Sequence, residues 1–387
     1  MHTIGGVGMT AQYLTIEGKQ RRMPAFLASL ADFTVTPAEA TGAEVVRADP
    51  NVSLYCFDDD AKQAIFVELP ADIDLSRAPF VYQTQYDHAR RLIAVPYESF
   101  RQLARDLPAV SRLIMIYMTG RSGSTVLSHV FNELDTVLSL SEPDAATQFV
   151  HLRAADGSRD EELRELLDCT VRFLFKPSAA GAPSACVLKV RSEGTRLMDL
   201  FQATFPQVKN LFLYRDALGW VASFYRIVTR GRQLPEYTPV GEFLGLFALL
   251  FKYDFTPLTA YLDEGTTELS IPQLLALWWM AIMEWYLAKY QQGFPVLAVR
   301  YDDLNAHREQ VVAEIFKYCG LPATRARETL AVFERDAQAG TMVARDDPRQ
   351  GNTLRLSDEQ RAEVSRILAR HPILKQSDFL APGTLRV

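Results

Sequence analysis

The sequence predicts an α/β protein: a parallel sheet flanked by helices and carrying a P-loop-like phosphate loop, preceded by a small α+β N-terminal unit. Three observations lead there. From Leu113 onward, short apolar runs alternate with amphipathic segments, the pattern of a parallel sheet covered on both faces. The first of those runs, LIMIYM, passes through a glycine-containing stretch, TGRSGST, into a helical pattern. Ahead of them, two strand-like runs flank a polar turn.

In chain order, VSLYCF and AIFVEL on either side of Asp58-Asp59-Asp60-Ala61-Lys62 predict a β-hairpin, and Tyr97 to Leu107 predicts a short helix. The character changes near Asp106-Leu107-Pro108, dividing the chain into a small region 1–106 and an α/β region 107–387. Strands are expected at Leu113 to Met118, Val137 to Leu140, Cys186 to Val190, Val208 to Tyr214 and Pro295 to Val299. Ile271 to Leu287 predicts a buried helix, because it carries Gln273 and Glu284 and falls short of the roughly 20 apolar residues that span a bilayer. Glu309 to Cys319 puts Val311, Val312, Ile315, Phe316 and Cys319 on one helix face, and Gly320 with Pro322 ends it. Ser357-Asp358-Glu359-Gln360 is a capping box opening a last helix that contains Val364 and Ile367. In such sheets ligands sit at the carboxyl ends of strands, so the chemistry is expected just after each strand.

Composition narrows the partners. With 387 residues, 48% hydrophobic and 23% charged, the chain can bury a full core. Forty-one basic against 47 acidic side chains leave a net charge of −6, so no overall basic field attracts nucleic acid or anionic lipid. Any bound anion must be held locally. Cys56, Cys169, Cys186 and Cys319 lie far apart and lack the spacings of a zinc site or a disulfide framework, which predicts reduced core residues and no metal. The stretch MHTIGGVGMTAQYLTIEGKQRR has no basic region leading into an apolar run of signal-peptide length, and the expected location is the cytoplasm.

The strongest motif is Thr119-Gly120-Arg121-Ser122-Gly123-Ser124-Thr125, set between a strand and a helix bearing Val126, Leu127, Val130, Phe131 and Leu134. Backbone N–H groups at a helix N-terminus, with the partial positive charge of the helix dipole, accommodate a phosphate. Gly120 and Gly123 allow close approach, Ser124 and Thr125 offer hydroxyls, and Arg121 adds a fixed charge. The loop lacks the lysine of a Walker A motif, which disfavours an ATP or GTP hydrolase. A second anchor follows the strand Val208 to Tyr214: Arg215 at its exit and Ser223 two turns into the next helix could reach one phosphate.

Together, TGRSGST and LYRDALGWVASFYR resemble the two nucleotide-binding signatures of the PAPS-dependent sulfotransferase family, the branch with an Arg-Ser-Gly type loop. RYDDLNAHREQVVAEIFKYCGLP is similar to a segment that closes many folds of that family. The resemblance runs from about Leu113 to the C-terminal region and leaves out residues 1 to about 106. It implies 3′-phosphoadenosine 5′-phosphosulfate (PAPS) as sulfonate donor, with Arg121, Ser122, Gly123, Ser124 and Thr125 on its 5′-phosphosulfate and Arg215 and Ser223 on its 3′-phosphate. The product would be 3′-phosphoadenosine 5′-phosphate. Leu188-Lys189-Val190-Arg191 resembles the Lys-Thr-His segment of the cytosolic branch, but Arg191 stands where that branch has its catalytic histidine. A different base is then required.

Negative charge grows on the sulfonate oxygens and the leaving phosphate, and Arg121 and Lys189 are the natural cations for it. Glu142, after the strand Val137 to Leu140, is the favoured base, and the resemblance implies a glutamate at this place in the arginine-loop branch. His129 within the first helix and His151 are its rivals. Arg349, in a polar loop running from Arg345 to Asn352, loosely resembles a further 3′-phosphate contact. Trp278, Trp279, Trp285 and Tyr286 read as core, with a pocket wall for an apolar acceptor as the alternative. The acceptor is expected to be a small molecule or saccharide bearing a hydroxyl or amine. Two other functions fit parts of the pattern. One is an ATP-dependent phosphotransferase using Asp302 to hold magnesium, and the other is an inactive nucleotide-binding interaction module.

Overall fold

The computed structural model describes residues 9–21, 23, 25–178, 181–229, 235–341, 343–344 and 355–387. The N-terminal part forms an antiparallel sheet of β1 (Thr10–Lys19), β2 (Phe33–Gly42), β3 (Val52–Asp58), β4 (Gln63–Glu68) and β5 (Arg91–Pro96), in the order β2-β1-β5-β4-β3. The expected hairpin is β3–β4, with Asp58 opposite Gln63. The helix expected after it spans Tyr97–Arg105 and buries Tyr97, Phe100, Leu103 and Ala104.

The second sheet is wholly parallel. It comprises β6 (Leu113–Met118), β7 (Val137–Ser141), β8 (Ala185–Lys189), β9 (Lys209–Tyr214) and, beyond a two-stranded ribbon of β10 (Tyr237–Pro239) and β11 (Glu268–Ser270), β12 (Val296–Arg300). The order β12-β9-β6-β8-β7 puts the first strand in the middle, with later strands added on both sides. All six residues of β6 are buried, as a strand with both faces covered requires. The expected strand boundaries hold to within a residue. The helices Ile271–Gln291, Arg308–Tyr318 and Asp358–Arg370 form where their patterns call for them, the last with both bonds of its capping box made.

Register decides where the chemistry lies. Ser141 pairs with Lys189, Ile116 with Lys189 across the other edge of β8, Met118 with Leu213, and Tyr214 with Arg300. The residues that follow these strand ends, Glu142, Val190, Thr119, Arg215 and Tyr301, therefore emerge along one rim at the switch point of the sheet. One face of the sheet is covered by the helix Ser124–Asn132 together with Val311, Val312, Ile315 and Phe316. The other face shares a continuous cluster with the N-terminal sheet: Phe57 and Phe66 pack with Phe100, Phe149 and Phe173, and the Phe100 and Phe173 rings stack at 4.8 Å. Gln148 locks this junction by exchanging two 2.8 Å hydrogen bonds with the Phe57 backbone.

Candidate active site

The loop after β6 turns sharply. Gly120 and Gly123 both sit at φ 80°, and Arg121 between them is held at φ 51°, a left-handed conformation that is costly for a side chain with a Cβ. A Cβ at Gly123 would lie 3.2 Å from Leu304 and 3.4 Å from Tyr301, so glycine lets these walls close on the loop. Gly123 caps the helix Ser124–Asn132, whose first N–H groups point at the loop. Ser122 Oγ is buried and has no hydrogen-bond partner among the described residues.

The second anchor meets this loop directly. Arg121 Nε donates to Ser223 Oγ at 3.0 Å, and Arg121 Nη1 donates to Gln338 Oε1 at 2.5 Å. Arg215 lies over the Tyr301 ring at 4.6 Å, and its buried Nε lacks a hydrogen bond, with Asp216 Oδ1 at 3.8 Å. Burial, reinforced by the like charge of Arg215, pulls the Arg121 guanidinium down to about 10. A recess of about 80 Å³ against the loop is bounded by Arg121, Arg215, Tyr301 and Asp336 to Gln338.

On the other side of the loop opens a cleft of about 570 Å³. Lys189, fully buried at the end of β8, donates to Glu142 Oε1 at 2.5 Å, to Ser141 Oγ at 3.2 Å and to Thr125 Oγ1 at 3.3 Å. Burial lowers the Lys189 pKa and Glu142 opposes the shift. Glu142 is doubly fixed, since its own N–H donates to the Lys189 carbonyl at 2.8 Å while its carbonyl accepts from Tyr82 N at 3.3 Å. It too has a left-handed backbone, φ 57°. The structure thus brings Arg121, Ser124, Thr125, Glu142 and Lys189 to one cleft.

Arg191 is no base and no free cation. It makes two bonds to Asp144, Nε to Oδ1 at 2.7 Å and Nη2 to Oδ2 at 2.6 Å, and lies over Tyr82 at 4.0 Å. Burial would lower its pKa, but Asp144, Tyr82 and Glu193 together outweigh it and the net shift is upward. The rivals of Glu142 lie elsewhere. His129 does not line the cleft, its Nε2 is buried without a partner among the described residues, and burial lowers its pKa, with Lys189 adding to the effect. His151 binds the Leu250 carbonyl at 3.1 Å. Asp302 is half exposed, pairs with Arg300 at 3.1 Å and does not line the loop recess, although its neighbour Tyr301 does. Arg349 falls outside the described residues. Trp279 and Tyr286 are core as expected, whereas Trp278 lines the cleft.

Residues 1–106 showed no chemistry in sequence, yet they wall the cleft. Phe80, Tyr82, Gln83 and Asp87 line it, Arg21 reaches Asp144 Oδ2 at 3.4 Å, and Ala28 N donates to the same oxygen at 2.7 Å. These contacts join segments more than 100 positions apart, which no local pattern reveals. Asp144 did carry a signal, as the second acid of the Ser-Glu-Pro-Asp run that leaves β7. Glu193 and Gln338 carried none.

Residues 112–339, well over half of the chain, match the family described as the sulfotransferase domain. No curated protein sequence matches the chain. Among solved structures it is similar to the sulfotransferase domain from the curacin biosynthetic pathway, at 16% identity over 68% of this chain and 98% of that one, with a TM-score of 0.41. It is also similar to a sulfotransferase from Alicyclobacillus acidocaldarius, at 12% identity over 67% and 92% of the two chains and a TM-score of 0.37. A third, from Mycobacterium avium, gives 14% identity over 60% and 71%, and a TM-score of 0.35. On the match of residues 112–339, the chain belongs to the sulfotransferase domain family.

Proposed function

We propose that this protein transfers a sulfonate group from PAPS to a hydroxyl or amine of a small-molecule or saccharide acceptor, releasing 3′-phosphoadenosine 5′-phosphate. What supports the reading most directly is the convergence at Arg121, whose guanidinium ties the glycine loop to Ser223 at 3.0 Å beside Arg215, whose buried Nε makes no hydrogen bond among the described residues. Two cations held close together against burial suit a ligand with several negative charges. The orphaned donors Ser122 Oγ and Arg215 Nε fit oxyanions as well.

In this reading the loop from Arg121 to Thr125 grips the 5′-phosphosulfate, and Arg215 with Ser223 grips the 3′-phosphate. Arg121 and Lys189 stabilise the charge that grows on the sulfonate oxygens and the leaving phosphate. Glu142 takes the acceptor's proton as the oxygen or nitrogen attacks sulfur. Lys189 has a second duty, because its ammonium keeps the Glu142 carboxylate aimed at the cleft. Residues 107–387 hold the donor, and residues 1–106 supply the wall that faces the acceptor. Four free, buried cysteines fit a protein acting in the reducing cytoplasm.

Protection against thermal unfolding tests the donor. The desulfonated product 3′-phosphoadenosine 5′-phosphate should raise the midpoint by mass action. ATP with magnesium should raise it far less. Equal or greater protection by ATP with magnesium would overturn the proposal in favour of phosphotransfer.

A further inference from the structure

Away from the phosphate loop, the charged side chains at the cleft have ion-pair partners, with two exceptions. Glu142 pairs with Lys189, and Asp144 pairs with Arg191 and Arg21. Glu193 and Asp87 line the same cleft and enter no ion pair among the described residues. Asp87 sits exposed at the rim, but Glu193 is only 3% exposed. It accepts a hydrogen bond from Ser192 Oγ at 3.2 Å, and its own backbone N–H also favours the carboxylate. Arg191 is near enough to act on it, yet that guanidinium is already committed to Asp144. Burying a carboxyl without a cation works against folding, and burial accordingly pushes the Glu193 pKa up. Phe224, Phe251 and Trp278 face the same space and supply an apolar wall.

We propose that Glu193 is an acceptor-specificity residue that binds a protonated amine on an otherwise apolar acceptor lying against Phe224, Phe251 and Trp278. An ammonium would give Glu193, a buried cleft carboxyl with no ion pair among the described residues, a cation of its own, and Asp87 at the mouth would favour its entry. The bound nitrogen is not the atom sulfonated, because a protonated amine has no lone pair with which to attack sulfur. The acceptor therefore carries a second nucleophile, a hydroxyl, presented to Glu142. This inference rests on the sulfonate-transfer reading and names the class of its acceptor.

Calorimetric titration of the whole 387-residue chain with 4-phenylbutylamine and with 4-phenylbutan-1-ol, with and without saturating 3′-phosphoadenosine 5′-phosphate, tests it. The amine should bind about tenfold or more tightly than the alcohol, as a charge-assisted hydrogen bond implies. Glu193→Gln should level the two, while its affinity for 3′-phosphoadenosine 5′-phosphate, measured alongside, reports that it has folded. Equal binding of the two probes by the parent, no binding of either, or a preference that survives in a folded Glu193→Gln protein would overturn the assignment. Should that variant not fold, Asp87→Asn at the rim and the parent's own amine preference decide. Failure of 3′-phosphoadenosine 5′-phosphate to bind strikes the donor reading instead, and is read in a separate titration.

Discussion

Lys189 Nζ stands 2.5 Å from Glu142 Oε1, at the ends of two adjacent parallel strands whose register pairs Ser141 with Lys189. The pair is almost wholly buried, with side-chain exposures of 1% and 10%. It joins the residue proposed as base to one of the two cations proposed to stabilise the developing charge.

Glu142→Gln keeps the shape of the side chain and removes the proton acceptor, so single-turnover sulfonate transfer at saturating donor should fall by about 10² to 10⁴-fold. Donor affinity should hardly change. His129→Asn should act through stability alone, because that ring lies outside the cleft. A folded His129→Asn enzyme with the larger loss of turnover would remove Glu142 from the mechanism.

Breaking the pair from the other side should be costly to the fold. Lys189→Met leaves the Glu142 carboxylate buried without its cation, which should destabilise the protein by about 3–5 kcal/mol in denaturant unfolding. The double variant Lys189→Met with Glu142→Gln should recover most of that loss. Equal losses in the single and double variants would show that the ammonium is not acting on Glu142.

Arg215→Ala should weaken PAPS binding by about 10 to 150-fold, the range for a charge-assisted hydrogen bond worth roughly 1.5 to 3 kcal/mol. Adenosine 5′-phosphosulfate lacks the 3′-phosphate and should lose much less. Parallel losses for both donors, measured by calorimetry, would refute the 3′-phosphate assignment.

Arg191, which the sequence resemblance sets where the cytosolic branch has a histidine, works as a clamp on Asp144 and the segment near Ala25 and Phe26. Arg191→His should therefore lower stability by about 2 kcal/mol or more and bring no gain in turnover. A stable and faster Arg191→His enzyme would mean that the base can be moved to this position.

Glu193 carries a pH signature. Its folded pKa is raised above the ordinary 4.5, so the stability associated with its protonated form is complete below that value and is lost as pH rises through the folded pKa. Glu193→Gln removes the dependence. The variant should gain on the parent in thermal midpoint between pH 5 and pH 8, by on the order of 2 °C. A gain that shrinks as pH rises would show that the carboxylate is well compensated.

The strands, the glycine loop and the second anchor were legible in the sequence because each is local. The continuous apolar run of β6, the helix start at Gly123 and the arginine leaving β9 are written in neighbouring residues. A helix N-terminus after a strand end offers N–H groups and partial positive charge that suit an oxyanion. Even Glu142 and Lys189 could be named singly, as polar residues at strand ends. That they touch was decided by the order β6-β8-β7, in which the chain returns from β7 to insert β8 beside β6. The clamp from Arg191 to Asp144 and Arg21 and the cleft wall of Phe80 and Tyr82 arise from packing the N-terminal part on the parallel sheet. Burial and ion pairing depend on what lies across a cleft, and residues brought there from more than 100 positions away leave no periodic trace in either segment.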